Sequence, residues 1–247
     1  MKYQGGKTRI AKPIVEAISQ NLDICGGQAP IFVSLFCGSC AVESRISGFQ
    51  KKILNDKHEY LIELLKGVQS GYELPDCISE EQYKYIREHK DEDRTLTGFV
   101  GFGCSFGGKW FGGYARDGNG RNYTLEAKKS LLRDMQGLKD AEFLCGDYRD
   151  VDLPDGCVVY ADPPYAGTTG YAVGKFDSEE FWKYMRKISQ DHIVFISEES
   201  APTDFESIWS KSIARTLDVN KKNQPKRIEK LFVHKKYADR VNMIKAH

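Results

Sequence analysis

The sequence predicts an α/β fold built on a Rossmann-like, mostly parallel sheet, and three observations carry that expectation. Apolar runs of strand length alternate with stretches of helical spacing along most of the chain. Four of the predicted strands, 31–36, 52–54, 142–145 and 158–161, end in Gly38, Asp56, Asp147 and Asp162, residue types suited to ligand contact. The rhythm breaks once, over residues 68–123, which reads as an insertion into one sheet rather than as a second fold.

Taken in order, Tyr3-Gln4-Gly5-Gly6-Lys7 precedes a helix over 7–21, where Ile10, Ile14, Val15 and Ile18 share a face and Pro13 sits near the first turn. Two glycines at a helix entry allow close approach of backbone to a ligand, and Lys7 could meet a carboxylate or phosphate. The strand 31–36 runs through Phe36 into Cys37-Gly38-Ser39-Cys40-Ala41-Val42-Glu43, a small-residue turn leading into a helix. It is a βα turn, but lacks the glycine spacing of a dinucleotide fingerprint. The next strand ends at Asn55-Asp56. Asp56 is placed to accept from ribose hydroxyls, or equally to cap the helix 57–67. Helices are expected near 80–92, 125–135 and 178–188, and further strands at 192–196, 212–219 and 228–235.

The insertion interleaves glycine with aromatic residues, Gly98-Phe99-Val100-Gly101-Phe102-Gly103 and Gly107-Gly108-Lys109-Trp110-Phe111-Gly112-Gly113-Tyr114, followed by Arg116, Arg121 and Asn122. Backbone and stacking rings of this kind suit a nucleic-acid partner; a glycine-rich surface insertion covering the core edge is the competing reading. In the strand 158–161, the apolar run stops at Asp162-Pro163-Pro164-Tyr165. Prolines lack the amide a ladder needs, so a carboxylate is left at a strand end beside a stiff turn and an aromatic ring. Ligands of open α/β sheets bind at this edge. A nucleoside-containing cofactor lying across it would explain Gly38 and Asp56 and leave Asp162 and Tyr165 for chemistry.

Charge is unevenly placed. The net charge is +1, yet residues 221–236 hold seven basic side chains and one Glu, and 105–133 hold six basic and two acidic, whereas 140–162 hold seven acidic and one Arg. Two basic stretches in a near-neutral chain fit one anion-binding face, or two solvated surfaces. No apolar run approaches the roughly 18 residues of a membrane span, and the N-terminus has no signal-peptide core. Seven scattered cysteines suggest reduced thiols in a cytoplasmic protein; Cys37 and Cys40 form the only pair at CxxC spacing, with nothing to complete a zinc site.

These motifs resemble, in order, those of the Dam-like, alpha-class DNA adenine-N6 methyltransferases. Tyr3 to Lys7 is similar to the family's aromatic-x-Gly-Gly-Lys motif, Phe36-Cys37-Gly38 to its first cofactor motif, Asn55-Asp56 to its ribose motif and Gly146-Asp147-Tyr148 to a motif near the cofactor's adenine. Asp162-Pro163-Pro164-Tyr165 resembles the catalytic motif in full. The resemblance implies a class I methyltransferase sheet with an antiparallel C-terminal strand. It implies a catalytic domain over 1–67 and 124–247 with a mainly helical target-recognition subdomain over 68–123. S-adenosyl-L-methionine is the implied cofactor, held by Tyr3, Lys7, Phe36, Gly38, Asp56, Asp147 and Asp162. Double-stranded DNA is the implied partner, with Lys109, Arg116, Arg121, Asn122, Lys222, Lys226 and Arg227 as contacts. It further implies a bacterial or phage-encoded, nucleoid-associated protein that needs no metal or membrane, with a cognate restriction enzyme as a possible partner. The first motif departs from the family's acidic-Pro-Phe-x-Gly-x-Gly: Ser34 stands at the acidic position and Cys40 at the second glycine. Which group holds the methionine amine is left open.

On this resemblance Asp162 and the Pro163 carbonyl would accept from adenine N6–H, and Tyr165 would stack on a base taken out of the duplex. Cytosine-N4 methylation and a catalytically impaired DNA-binding homologue are the alternatives; Asp rather than Ser at position 162 favours adenine.

Overall fold

The computed structural model describes residues 1–24, 31–116, 119–164, 176–213 and 227–238. Seven strands form one sheet: β1 Ile31–Ser34, β2 Lys51–Asp56, β3 Ala141–Cys145, β4 Val158–Ala161, β5 Ile193–Glu198, β6 Phe205–Ile213 and β7 Arg227–His234. Their order is β3-β2-β1-β4-β5-β7-β6. The first five are parallel to one another; β7 runs antiparallel to both β5 and β6. This is the expected sheet with its reversed C-terminal strand. The chain leaves β1 toward β2 on one side and β4 toward β5 on the other, so a crevice opens between the ends of β1 and β4.

Alternation along the strands divides the core. Phe32, Val158, Tyr160, Phe195, Leu231 and Val233 face one layer, formed by α1 Ala11–Ile24, α2 Glu59–Gln69, α4 Arg94–Gly103 and α5 Tyr123–Met135. Val33, Val159, Ala161, Val194, Ile196 and Phe232 face the other, against Phe181, Met185 and Ile188 of α6 Ser178–Ile188. A sheet covered on both faces explains why its central strands are continuous apolar runs.

Three elements differ from expectation. α1 starts at Ala11 because residues 4–10 turn on themselves through bonds such as Gly6 N to Tyr3 O and Ile10 N to Lys7 O. After β1, helical bonds run only from Ser44 N to Cys40 O and from Ile46 N to Val42 O, and Gly48 at φ 87° follows. The expected helix is thus a short series of turns. β6 begins at Phe205, seven residues before the expected 212, because β7 supplies the pairing that its sequence, broken by three serines, does not announce.

Residues 68–123 contribute α3 Glu80–Glu88 and α4, and they share the main core. Ser79 and Gln82 form a reciprocal capping box at the start of α3. Asp93 caps α4 through Leu96 N at 2.9 Å and also accepts from the Tyr72 hydroxyl. The glycine-aromatic run expected to face a partner is α4 itself, buried from Thr97 to Gly103. A Cβ on Gly98 would run into the Tyr60 carbonyl of α2, and one on Gly101 into the Trp110 ring. Phe102, Trp110, His58 and Phe111 then pack ring against ring, with centroid distances of 4.4–4.8 Å. These glycines permit close helix packing, and Phe99, Phe102, Trp110 and Phe111 serve the core rather than a nucleic acid.

Candidate active site

The turn after β1 is stitched to its neighbours by backbone and one buried amide. Leu35 N donates to Tyr160 O of β4 at 3.0 Å and Cys37 N to Asn55 O of β2 at 2.8 Å. Asn55 Nδ2 donates to the Leu35 and Gly146 carbonyls, both at 3.1 Å, so one side chain joins the exits of β1, β2 and β3. Gly38 sits at φ 48°, and a Cβ there would press on the Tyr3 ring at 3.1 Å. Cys40, where the resembling motif has its second glycine, adopts a left-handed φ of 56° with its side chain fully buried. The bend is therefore kept at a cost in backbone strain.

Asp56 follows directly. Its Oδ2 accepts from Gly38 N and its Oδ1 from His58 N, each at 2.9 Å. His58 is the N-cap of α2, so Asp56 does not cap the helix as such but closes a turn just before it. Burial pushes the Asp56 carboxyl upward, and the amides of His58, Gly38 and Lys57 pull the other way. Beside it, Phe36 packs against Tyr148 at 5.0 Å and Phe176 at 6.1 Å, giving the cleft an aromatic wall. Asp147 lies on the rim, its carboxylate forked by Arg149 at 2.8 and 3.0 Å, which holds it below the usual range.

At the exit of β4, Asp162 and Pro163 line the same cleft. Lys7, only 5% exposed, places Nζ 2.7 Å from Asp162 Oδ1 and 3.3 Å from Glu229 Oε1. The N-terminal loop that delivers Lys7 is held from behind: Gln4 N donates to Gly108 O at 3.0 Å, and Gly108, at φ 70°, lies too close to Lys2 and Tyr3 backbone for any side chain. Below them Tyr160 and Ser197 are joined hydroxyl to hydroxyl at 3.0 Å.

Tyr3, Lys7, Phe36, Gly38, Asp56, Asp147, Asp162 and Pro163 thus all line one cleft. Tyr165 lies outside the described residues, as do Lys222, Lys226 and the side chain of Arg227. The other basic candidates are elsewhere on the surface. Lys109 is exposed, Arg116 pairs with Glu80 at 2.6 Å, and Arg121 pairs with Glu126 at 2.6 Å. Asn122 is the N-cap of α5, accepting from Leu125 N and donating to Asp76 O. Its side chain thus bonds within the chain at both ends. Three cleft or cleft-supporting acids were missed. In the sequence Glu43 stands out only as part of the turn after β1. Glu198 closes β5, and burial raises it to about 7. Glu229 was signalled only as the single acid in a basic stretch.

The cleft brings together an aromatic wall, the Asp56 carboxylate in the β2 turn, and a buried ammonium with carboxylates toward β4. Among the described residues no helix is long and apolar enough to cross a membrane.

A family model for D12 class N6 adenine-specific DNA methyltransferases matches residues 3–97 and 113–225. Similar solved structures include the rRNA methyltransferase aviRa of Streptomyces viridochromogenes, at 14% identity and TM-score 0.45 over 98% of this chain and 89% of that one. A Haemophilus influenzae protein assigned as a methylase, HI0767, aligns at 11% identity and TM-score 0.39 over 91% and 98%. SMU.472, assigned as a methyltransferase and complexed with SAH, aligns at 11% identity and TM-score 0.30 over 84% of this chain and 48% of that one. The family match runs through every strand-end turn that builds the cleft, and the chain belongs to the D12 class of N6 adenine-specific DNA methyltransferases.

Proposed function

We propose that the cleft methylates N6 of an adenine taken out of double-stranded DNA, with Asp162 and the Pro163 carbonyl as the two acceptors for the amine. The observation that carries this reading is Asp162 at the β4 exit, held by buried Lys7 beside the β1 turn. The N6 lone pair is delocalised into the purine ring, so the amine is a poor nucleophile. Two acceptors on N6–H favour a pyramidal nitrogen with a localised lone pair. Pro163 offers a carbonyl without a competing amide donor, and pairing Oδ1 with Lys7 does not exhaust the acceptor capacity of a carboxylate. Tyr165 stacks on the extruded base, since a base inside the duplex cannot reach a buried strand end.

S-adenosylmethionine supplies a sulfonium methyl already activated for transfer, so alignment and electrostatics are the protein's part. Asp56 takes the ribose hydroxyls, Phe36 and Tyr148 flank the adenine, and Lys7 stands between Asp162 and the amino-acid end. Residues 1–67 and 124–247 form the catalytic unit, and 68–123 with the basic stretch 221–227 grip the duplex. Supporting that grip, Lys109 is exposed, and the pairs of Arg116 and Arg121 are surface ion pairs that a phosphate can displace.

Transfer of tritiated methyl from S-adenosylmethionine to unmethylated duplex DNA, followed by nucleoside analysis, tests the reaction. N6-methyl-2′-deoxyadenosine is the expected product, and N4-methyl-2′-deoxycytidine or no transfer would overturn the reading. A 2-aminopurine at the target position should brighten on binding if the base leaves the stack. Sequencing host DNA with modified bases read out identifies the recognised site and whether a cognate restriction enzyme is directed at it.

A further inference from the structure

Glu43 is a buried carboxylate that the reading above leaves without a role. It lies in the turns after β1, is 2% exposed and lines the cleft. Its Oε1 accepts from Ser34 Oγ at 2.7 Å, and Ser34, the last residue of β1, is itself fully buried. Among the described residues no cation is paired with this carboxylate. Lys7 is directed to Asp162 and Glu229, while Lys52 Nζ donates to the backbone carbonyls of Glu43 and Gly137, each at 2.9 Å. Burial raises Glu43 to about 7, with its own amide and the Ser34 hydroxyl working in the opposite direction. A carboxylate kept in a ligand cleft without a counter-ion is poised to receive a cation.

The cleft also has a direction. Asp56 and the aromatic wall mark the adenosine end, and Lys7, Glu43 and Asp162 line the end toward β4. An amino-acid moiety presents one ammonium and one carboxylate, and this end offers a buried ammonium and a buried carboxylate in return. We propose that Glu43 receives the α-ammonium of the cofactor's methionine moiety, oriented by the hydroxyl of Ser34. The carboxylate missing from position 34 is then supplied nine residues later, with Ser34 as a positioning residue. This inference rests on the cleft being the S-adenosylmethionine site.

The test is calorimetric binding of three probes: S-adenosylhomocysteine, its deaminated analogue and adenosine. Wild type should prefer S-adenosylhomocysteine over the deaminated analogue by roughly 10- to 100-fold, the range of a charge-assisted hydrogen bond. Glu43→Gln should shrink that preference to within about threefold, a loss of the same bond, and leave adenosine binding unchanged. Ser34→Ala keeps the carboxylate but removes its orienting bond, so the preference should fall part of the way. A Glu43→Gln protein with the full wild-type preference overturns the proposal. If that variant does not fold, an unchanged preference in Ser34→Ala overturns it instead. Wild type binding none of the three probes would overturn the cofactor site itself, and this inference with it.

Discussion

Asp162 is the residue whose loss should separate chemistry from binding. In Asp162→Ala the amine loses one of its two proposed acceptors, and kcat should fall by roughly 10²-fold or more, as for other pre-organised polar groups. Lys7 keeps Glu229 as a partner, so S-adenosylhomocysteine affinity should change little by comparison. Near-normal turnover in a methyl-transfer assay would sink the assignment. His58 offers a second test at the same scale. It is buried against Phe102 and Trp110, and burial lowers its pKa to about 4 from an ordinary 6.5. A base whose pKa is depressed by folding binds its proton more readily when unfolded, so stability falls as pH drops from 6.5 toward 4. The loss is at most about 3 kcal/mol. Urea melts of His58→Phe should show a flatter stability profile over that window than wild type. Glu43 and Glu198 act with the opposite sign. Their raised values, both about 7, make their ionisation cost stability as pH rises from about 4.5 to 7.

Among the elements, α4 depends most on residues with no side chain. Gly98 lets α4 meet α2 backbone to backbone, and Gly101 makes room for Trp110. Because the atom opposite Gly98 is a main-chain carbonyl, no rotamer change can relieve an added methyl. Gly98→Ala should cost on the order of 2 kcal/mol, read as a lower urea midpoint. Exposed Gly120 faces open space, and its replacement should not produce this packing cost. A run of glycines and aromatics in sequence is compatible with either a partner surface or a tight helix contact. Only the position of Tyr60 and Trp110 distinguishes them.

For the whole molecule, the sheet order places the cleft at the joints between β1, β2, β3 and β4. A ligand that binds only the folded state at 100 times its dissociation constant adds about 2.7 kcal/mol. For a chain of this size that corresponds to a rise in melting temperature of roughly 5–10 °C. S-adenosylhomocysteine should produce it in a thermal melt, and Asp56→Ala, which removes the proposed ribose acceptor and the bond from Gly38 N, should largely abolish it.

The exits of the parallel strands and the residues waiting there are legible in the sequence alone, whereas α4, the short turns after β1 and the start of β6 are not. Those signals are local: a hydrophobic period, a proline stop, a carboxylate one or two positions beyond an apolar run. Gly38, Asp56 and Asp162 could be named because strand ends of one parallel sheet must share an edge. The tertiary structure decided what those residues touch. Lys7 meets Glu229 from the other end of the chain, Ser34 hands its hydrogen bond to Glu43, and β6 becomes a strand only by pairing with β7. Such partners are set by how sheet and helices close on one another, and no period or spacing within a short window encodes them.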